Sequence, residues 1–338
     1  MKGLFMACIR DWAEGLRIRT LPAALAPVAV GAAFAADAGL FSPLRTLSAA
    51  LTALFFQIGV NFSNDYSDGI RGTDTFRSGP PRLTGGGKAN PKTVLAAACL
   101  CFALACAAGF LLVWLSGKWW LTGIGGAAVA AAWFYTGGRH PYGYCGLGEV
   151  FVFVFFGFVA TVGTAYTQTG SAPGQVWVAA AAVGLIACAL LMINNIRDIP
   201  TDTAAGKHTL AVFLGDRRAR GIFVFMLTLP LALGVLLGFL YPFLLILPVL
   251  LPQIIAICAP VAGRGRRKKA EGADLIPVLK QTGIYELTFA LVLSAGITAT
   301  ARFFPGSVPG VPGAAPVFLA LLCLAVPQVG LRTHRLCR

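Results

Sequence analysis

Asn61-Phe-Ser-Asn-Asp-Tyr-Ser-Asp-Gly-Ile-Arg-Gly-Thr-Asp74 closes one long apolar run, and Asn194-Asn-Ile-Arg-Asp-Ile-Pro-Thr-Asp202 closes another. Both open with the spacing Asn-x-x-x-Asp, Asn61 to Asp65 and Asn194 to Asp198. Carboxylates and carboxamides are costly beside hydrocarbon, so at the mouths of membrane helices they mark a substrate or ion site by default. On a continuing helix Asn61, Asp65 and Asp68 stand at i, i+4 and i+7, which is one face. Asp198 and Asp202 share the i, i+4 spacing, but Pro200 disfavours helical geometry at Ile199, and a bend between the two is expected.

Carboxylates gathered in this way repel one another unless cations join them. Oxygen donors without His or Cys suit a hard ion, and Mg²⁺ typically takes one or two carboxylates together with substrate phosphates. The two motifs therefore read as a place where magnesium holds a diphosphate. The competing reading is a pair of solvated loop caps whose acids meet Arg71, Arg77, Arg197 and Lys207. That two matching runs fall at equivalent places in the chain weighs against it.

The composition, 57% hydrophobic and 12% charged over 338 residues, is that of an integral membrane protein. Apolar stretches approaching the roughly 20 residues that cross a bilayer fall near 21–39, 44–62, 93–115, 119–136, 150–168, 176–195, 221–240, 243–262 and 284–303. A tenth, 314–330, is short and carries Pro316 and Pro327. The fold expected is an all-α polytopic membrane bundle. Residues 1–304 form the intramembrane domain, and 305–338 supply a Pro/Gly linker, the extra apolar segment and a basic tail. The first motif follows the second span and its echo follows the sixth, an offset that predicts two similar halves.

A net charge of +14 raises the question of nucleic acid, but its placement answers it. With the amino terminus inside and the tenth span counted, all but Arg45, Lys118 and Arg302 of the 27 Lys and Arg fall on one side. This is the positive-inside pattern, which orients the chain and puts both motifs on the cytoplasmic face. The same charge attracts anionic membrane lipids and a diphosphate. The run Arg264-Gly-Arg-Arg-Lys-Lys269 has no interleaved aromatics and reads as an orientation signal rather than a nucleic-acid site. The leader before the first span is long and contains Asp11 and Glu14, unlike a secretory signal. Most of the nine cysteines sit inside apolar runs as small buried hydrophobes.

Three connections add candidate residues. Arg77-Ser-Gly-Pro-Pro-Arg-Leu-Thr-Gly-Gly-Gly-Lys88 lies in a long loop after the first motif, where glycine amides, Arg82 and Lys88 suit closure over phosphate oxygens. Residues 133–149 carry Tyr135, Arg139, Tyr142, Tyr144 and Glu149, which read equally as an interfacial aromatic belt or as a pocket for a planar ring. Lys207, five residues past Asp202, is a mobile point charge suited to a phosphate. Before the first span, Arg17 and Arg19 read as topology anchors or as site cations.

Assembled, these residues resemble the UbiA superfamily of intramembrane prenyltransferases. The resemblance rests on Arg19-Thr-Leu-Pro-Ala, the two acidic motifs, Tyr135-Thr-Gly-Gly, Pro141-Tyr-Gly-Tyr, Gly146-Leu-Gly-Glu149 and Asp274-Leu-Ile-Pro-Val-Leu, and spans roughly residues 10–300. Its tyrosine-glycine segment points to the branch that prenylates 1,4-dihydroxy-2-naphthoate. The resemblance implies nine membrane helices around a central cavity open laterally to lipid, in a bacterial plasma membrane. It implies that Asn61, Asp65, Asp198 and Asp202 hold Mg²⁺ against a polyprenyl diphosphate, with Asp68 close by and Asp74 at the motif's last acidic position. Arg71, Arg82, Asn194 and Lys207 are then the expected diphosphate residues. Tyr135, Tyr142, Tyr144 and Glu149 are expected near a bicyclic aromatic acid, whose carboxylate would meet Arg19 or Arg139. The implied reaction is alkylation of the ring by the allylic group with loss of carbon dioxide, giving a demethylmenaquinone. Two rivals stand beside it: transfer to another aromatic acceptor such as 4-hydroxybenzoate or homogentisate, and a cation-coupled secondary transporter. Acidic residues gathered on one side rather than at the midplane disfavour the transporter.

Overall fold

Two prolines and two polar caps start the helices that build the first half of the bundle. Pro43 and Pro91 occupy first-turn positions, where the missing N–H costs nothing. Ser42 and Asn90 precede them, and their side chains accept from the N–H groups of Arg45 and Lys92. The computed structural model describes residues 7–73, 82–263 and 269–304. Asp74, Arg77, most of the basic run 264–269 and the tenth apolar segment 314–330 lie outside the described residues.

Among those residues every regular element is a helix, in the order α1 (Ile9–Gly15), α2 (Pro22–Asp37), α3 (Pro43–Arg71), α4 (Pro91–Ser116), α5 (Leu121–Phe134), α6 (Gly148–Val152), α7 (Ala160–Thr169), α8 (Gly174–Ala204), α9 (Leu210–Leu237), α10 (Leu251–Ala262) and α11 (Ile276–Phe303). Between α6 and α7 the chain stays helical but widens into a π-helix over Phe153–Val159. A β-bridge joins Cys145 to His208 and ties the tyrosine loop to the segment after the second motif.

Seven stretches are long and apolar enough to cross a membrane, or eight if the pair Ile9–Thr20 and Pro22–Asp37, bent by 46°, is one span. The segment expected at 119–136 forms only α5. At about 1.5 Å per residue its 14 residues rise about 21 Å, short of the about 30 Å of hydrocarbon. The helix begins only after Lys118-Trp-Trp120 and stops where Gly138 turns the chain at φ 75°.

The expected bend at Pro200 is also absent from the secondary structure, since α8 continues through it to Ala204. The lost backbone bond falls close to the helix end. There Thr201 Oγ1 donates to the Asp198 carbonyl (3.0 Å) and Thr203 Oγ1 to that of Ile199 (2.7 Å), so side-chain hydroxyls reinforce the last turns. Asp198 and Asp202 therefore stay on one helix.

The core gathers around α8, which packs along α9 and touches α2, the π-helix and α11. The approach to the π-helix is close enough to require glycine on both sides. A Cβ on Gly184 would stand 2.8 Å from the Gly157 Cα, and one on Gly157 would stand 3.0 Å from the Ala180 carbonyl. Gly184→Val is accordingly expected to lower stability by about 1–3 kcal/mol through overpacking. Thermal unfolding in detergent measures this, and an unchanged midpoint would mean the two helices separate freely.

Candidate active site

Each acidic motif fills the last turns of a long helix, α3 or α8, and both helix ends open on one cavity of about 870 Å³. Asn61, Asp65, Asp68, Asn194, Asp198 and Asp202 all line it. Along α3 the lining runs from Asp68 down to Ala49, a depth of about 28 Å at about 1.5 Å per residue. The mouth is polar and the depth apolar, walled by α5 and by the helix from Gly148 to Thr169.

The carboxylates do not face one another bare. Asp65, 1% exposed, accepts the backbone N–H groups of Leu83 (2.9 Å) and Thr84 (2.8 Å). Asp68 accepts the Tyr144 hydroxyl (2.8 Å). Asp198 is held by the adjacent Arg197 at both oxygens, Nε at 2.8 Å and Nη2 at 2.6 Å. Lys207 bridges the motifs, its Nζ 3.7 Å from Asp68 and 3.9 Å from Asp202. The repulsion that seemed to demand a bound cation is thus relieved in large part by the chain's own donors.

The loop after α3 turns inward. Leu83 is buried against Gly15 and Phe62, and its amide caps Asp65 where a phosphate-facing loop was expected. Lys88 anchors the same loop to α1, meeting Asp11 at 2.6 Å and Glu14 at 3.4 Å. The Cys8 thiol and then Lys88 draw the Asp11 carboxyl down to about 2, and Asp11 in turn raises the Lys88 ammonium above its usual range. Arg82, ahead of the buried leucine, lines the cavity.

Other predicted residues divide by position. Arg71 does not line the cavity; its guanidinium donates to the carbonyls of Thr136 and Gly138 and lies 5.3 Å from the Tyr144 ring centre, so it holds the tyrosine loop in place. Arg139 is exposed and also outside the lining, whereas Arg19 is exposed yet lines the mouth. Tyr135 and Tyr142 form part of the wall, while Tyr144 sits behind it. Burial and then the charge of Asp68 hold the Tyr144 phenol above its usual range, so it donates as a neutral hydroxyl. Glu149 is buried outside the lining, and its Oε1 accepts from Asn195 (3.0 Å), which does line the cavity. Asn61 spends its amide on the Leu16 carbonyl (3.0 Å) and on Thr20 (3.3 Å).

Arg17, read from the sequence as an anchor or a site cation, lines the mouth and reaches the Asn61 carbonyl at 3.5 Å; it is the one non-glycine described residue with positive φ, 51°. The structure adds two residues that the motifs did not single out. Phe151 stacks on Tyr142 with ring centres 3.9 Å apart, and Phe155 lies parallel beyond it at 6.3 Å. Both phenylalanines line the cavity, so an aromatic ladder descends from the tyrosine loop. No spacing signal separates them from other phenylalanines of an apolar span.

The donor chemistry at the mouth suits Mg²⁺. Among the described residues no three His, Cys, Asp or Glu side chains converge tightly enough to hold a metal alone. An ion there would rest on one or two carboxylates and take its remaining ligands from phosphate and water, the usual habit of Mg²⁺.

Comparison with known proteins places this arrangement. A family model described as the UbiA prenyltransferase family matches residues 24–276. The chain is 44% identical over 293 residues to the 1,4-dihydroxy-2-naphthoate octaprenyltransferase of Mycobacterium tuberculosis, covering 86% of this chain and 98% of that protein. It is 40% identical over 215 residues to the protein of that name from Escherichia coli, covering 62% and 70%. Among solved structures, the apo UbiA homolog from Aeropyrum pernix K1 superposes with a TM-score of 0.62 at 19% identity, covering 84% of this chain and 98% of that one. The Archaeoglobus fulgidus UbiA homolog bound to DMAPP and Mg²⁺ gives 0.53 at 19% identity, covering 85% and 99%. The chain belongs to the UbiA prenyltransferase family and is a prenyltransferase.

Proposed function

We propose that this enzyme transfers a polyprenyl group from its diphosphate to 1,4-dihydroxy-2-naphthoate, with loss of carbon dioxide, using Mg²⁺ at the cytoplasmic face of a bacterial plasma membrane. The observation that carries the reading is the pair of Asn-x-x-x-Asp helix ends meeting at the polar mouth of a deep apolar cavity, joined by Lys207. The names of the mycobacterial and enteric relatives support the naphthoate as acceptor. The Archaeoglobus homolog, bound to a prenyl diphosphate and Mg²⁺, supports the metal.

Asn61, Asp65, Asp198 and Asp202, with Asp68 close by, are the residues from which the ion would take its one or two carboxylates. Bound there, Mg²⁺ would neutralise charge developing on the departing diphosphate. Arg82, Asn194 and Lys207 line the same mouth and orient the phosphates. The ring carbon bearing the carboxylate bonds to the allylic carbon as its bond to diphosphate oxygen breaks. The carboxylate then leaves as carbon dioxide, and its bonding pair restores the aromatic ring. Tyr142, Phe151 and Phe155 present aromatic faces on which allylic positive charge is stabilised. Arg17 and Arg19 stand at the mouth as partners for the acceptor carboxylate, and Tyr135 walls the ring. The apolar walls keep water from the allylic centre.

The test is prenyl transfer by purified protein in detergent with the naphthoate and octaprenyl diphosphate, first with Mg²⁺, then with EDTA. Extractable prenylated naphthoquinol, read as demethylmenaquinone after oxidation by air during extraction, that falls at least about a hundredfold in EDTA and returns with excess Mg²⁺ is the expected result. Product only with 4-hydroxybenzoate would reassign the acceptor, and product undiminished in EDTA would remove the metal.

A further inference from the structure

The cavity is far deeper than the chemistry requires. Its mouth holds the carboxylates, but its lining continues along nearly the whole of α5 and down the helix from Gly148 to Thr169. On α5 the positions Leu121, Gly125, Ala128 and Ala132 follow one another at i, i+4, i+7 and i+11, a single helix face, and all four line it. α5 is only lightly packed, with Ala132 its one buried residue, and the face that carries these positions borders the cavity. Three lining glycines have open space where a side chain would start: a Cβ on Gly125, Gly126 or Gly163 meets no atom within 4 Å.

Depth separates short isoprenoids from long ones. Gly125 lies about 15 Å along the helix from Tyr135, and Gly163 about 20 Å from Gly148. The eight-carbon backbone of a geranyl group spans at most about 11 Å at about 1.5 Å per carbon–carbon bond, whereas that of an octaprenyl group reaches about 46 Å. A geranyl chain therefore ends above these glycines. An octaprenyl chain must pass them and, being longer than the about 28 Å cavity, leave its far end in lipid.

We infer that the polyprenyl tail runs along the inner face of α5 opposite the helix ending at Thr169, and that the empty space at Gly125, Gly126 and Gly163 sets which chain lengths the site accepts. The inference rests on the prenyl-transfer reading and adds to it the path of the donor's tail. A leucine at these positions starts in open space, since its Cβ meets no atom within 4 Å, and it favours helix over glycine. Gly125→Leu and Gly163→Leu are therefore expected to fold.

Two measurements test it. In kinetics with geranyl and octaprenyl diphosphates, each leucine variant is expected to keep geranyl transfer near wild type and lower the octaprenyl to geranyl ratio of kcat/KM at least about tenfold. An unchanged ratio, or equal loss with both donors, overturns the assignment. Separately, octaprenyl diphosphate with a diazirine at its far half, irradiated on wild-type protein without acceptor, is expected to label Leu121–Phe134 and Ala160–Thr169. Labelling confined to α2, α9 or α11 overturns the path. Because the labelling needs no acceptor, it stands apart from any error in the naphthoate assignment.

Discussion

Replacing Asp65 or Asp198 by alanine is expected to lower prenyl transfer at least about a thousandfold, more than the loss of a single stabilising donor usually costs, in protein that remains folded. Asp65 is nearly inaccessible, yet it lies at the cavity lining and its oxygens face two backbone amides of the loop. If it were only a cap for Leu83 and Thr84, its removal would cost about 1–3 kcal/mol of stability and spare turnover in whatever protein stayed folded. If it also holds the ion against the diphosphate, turnover collapses while the thermal midpoint falls modestly. Asp198 poses the same alternative with Arg197 in place of the amides. Measuring kcat at saturating Mg²⁺ beside the unfolding midpoint separates the two. Losses below tenfold in both variants would return the motifs to a structural role.

Lys207→Met is the second large effect, an expected fall of about a hundredfold in kcat/KM, with KM for the diphosphate raised. Lys207 is the cation that touches both helix ends, within 4 Å of Asp68 and of Asp202. It also lies 5.2 Å from the centre of the Tyr144 ring. A purely structural bridge would show itself as lost stability with unaltered KM. Lys207→Arg keeps the charge but not the compact ammonium, and intermediate activity is expected from it. A methionine variant with wild-type KM and kcat would remove Lys207 from the site.

Much of this arrangement is legible in the residues. The apolar runs announce the long helices, and the i, i+4, i+7 spacing of Asn61, Asp65 and Asp68 places them on one face of a helix that does reach the cavity. What spacing cannot give is direction across the bundle. Arg71 follows Asp68 by three residues and looks like its natural partner, but the helix end points it at the carbonyls of Thr136 and Gly138. Arg139 reads as Arg19 does, and only the fold leaves one outside the lining and the other at the mouth. The bend expected at Pro200 fails for another reason: the lost bond falls near the exposed end of α8, where the Thr201 and Thr203 hydroxyls reinforce the last turns. The aromatic ladder below Tyr142 is not legible because no spacing separates Phe151 and Phe155 from the other phenylalanines of the same apolar span; only the fold turns both to the cavity.

The local partners of the four carboxylates bear on how the protein behaves when stripped of metal. Sites built from bare acids lose their shape in chelator, so inactivation and unfolding arrive together. Here Asp65 leans on peptide N–H groups, Asp198 on a guanidinium, and Asp68 and Asp202 on one ammonium. The mouth is braced by the chain's own groups, so the protein is expected to tolerate purification in EDTA with little change in its melting midpoint. On the proposed reading, activity lost there would be a loss of chemistry rather than of scaffold, and metal added back would restore it without refolding.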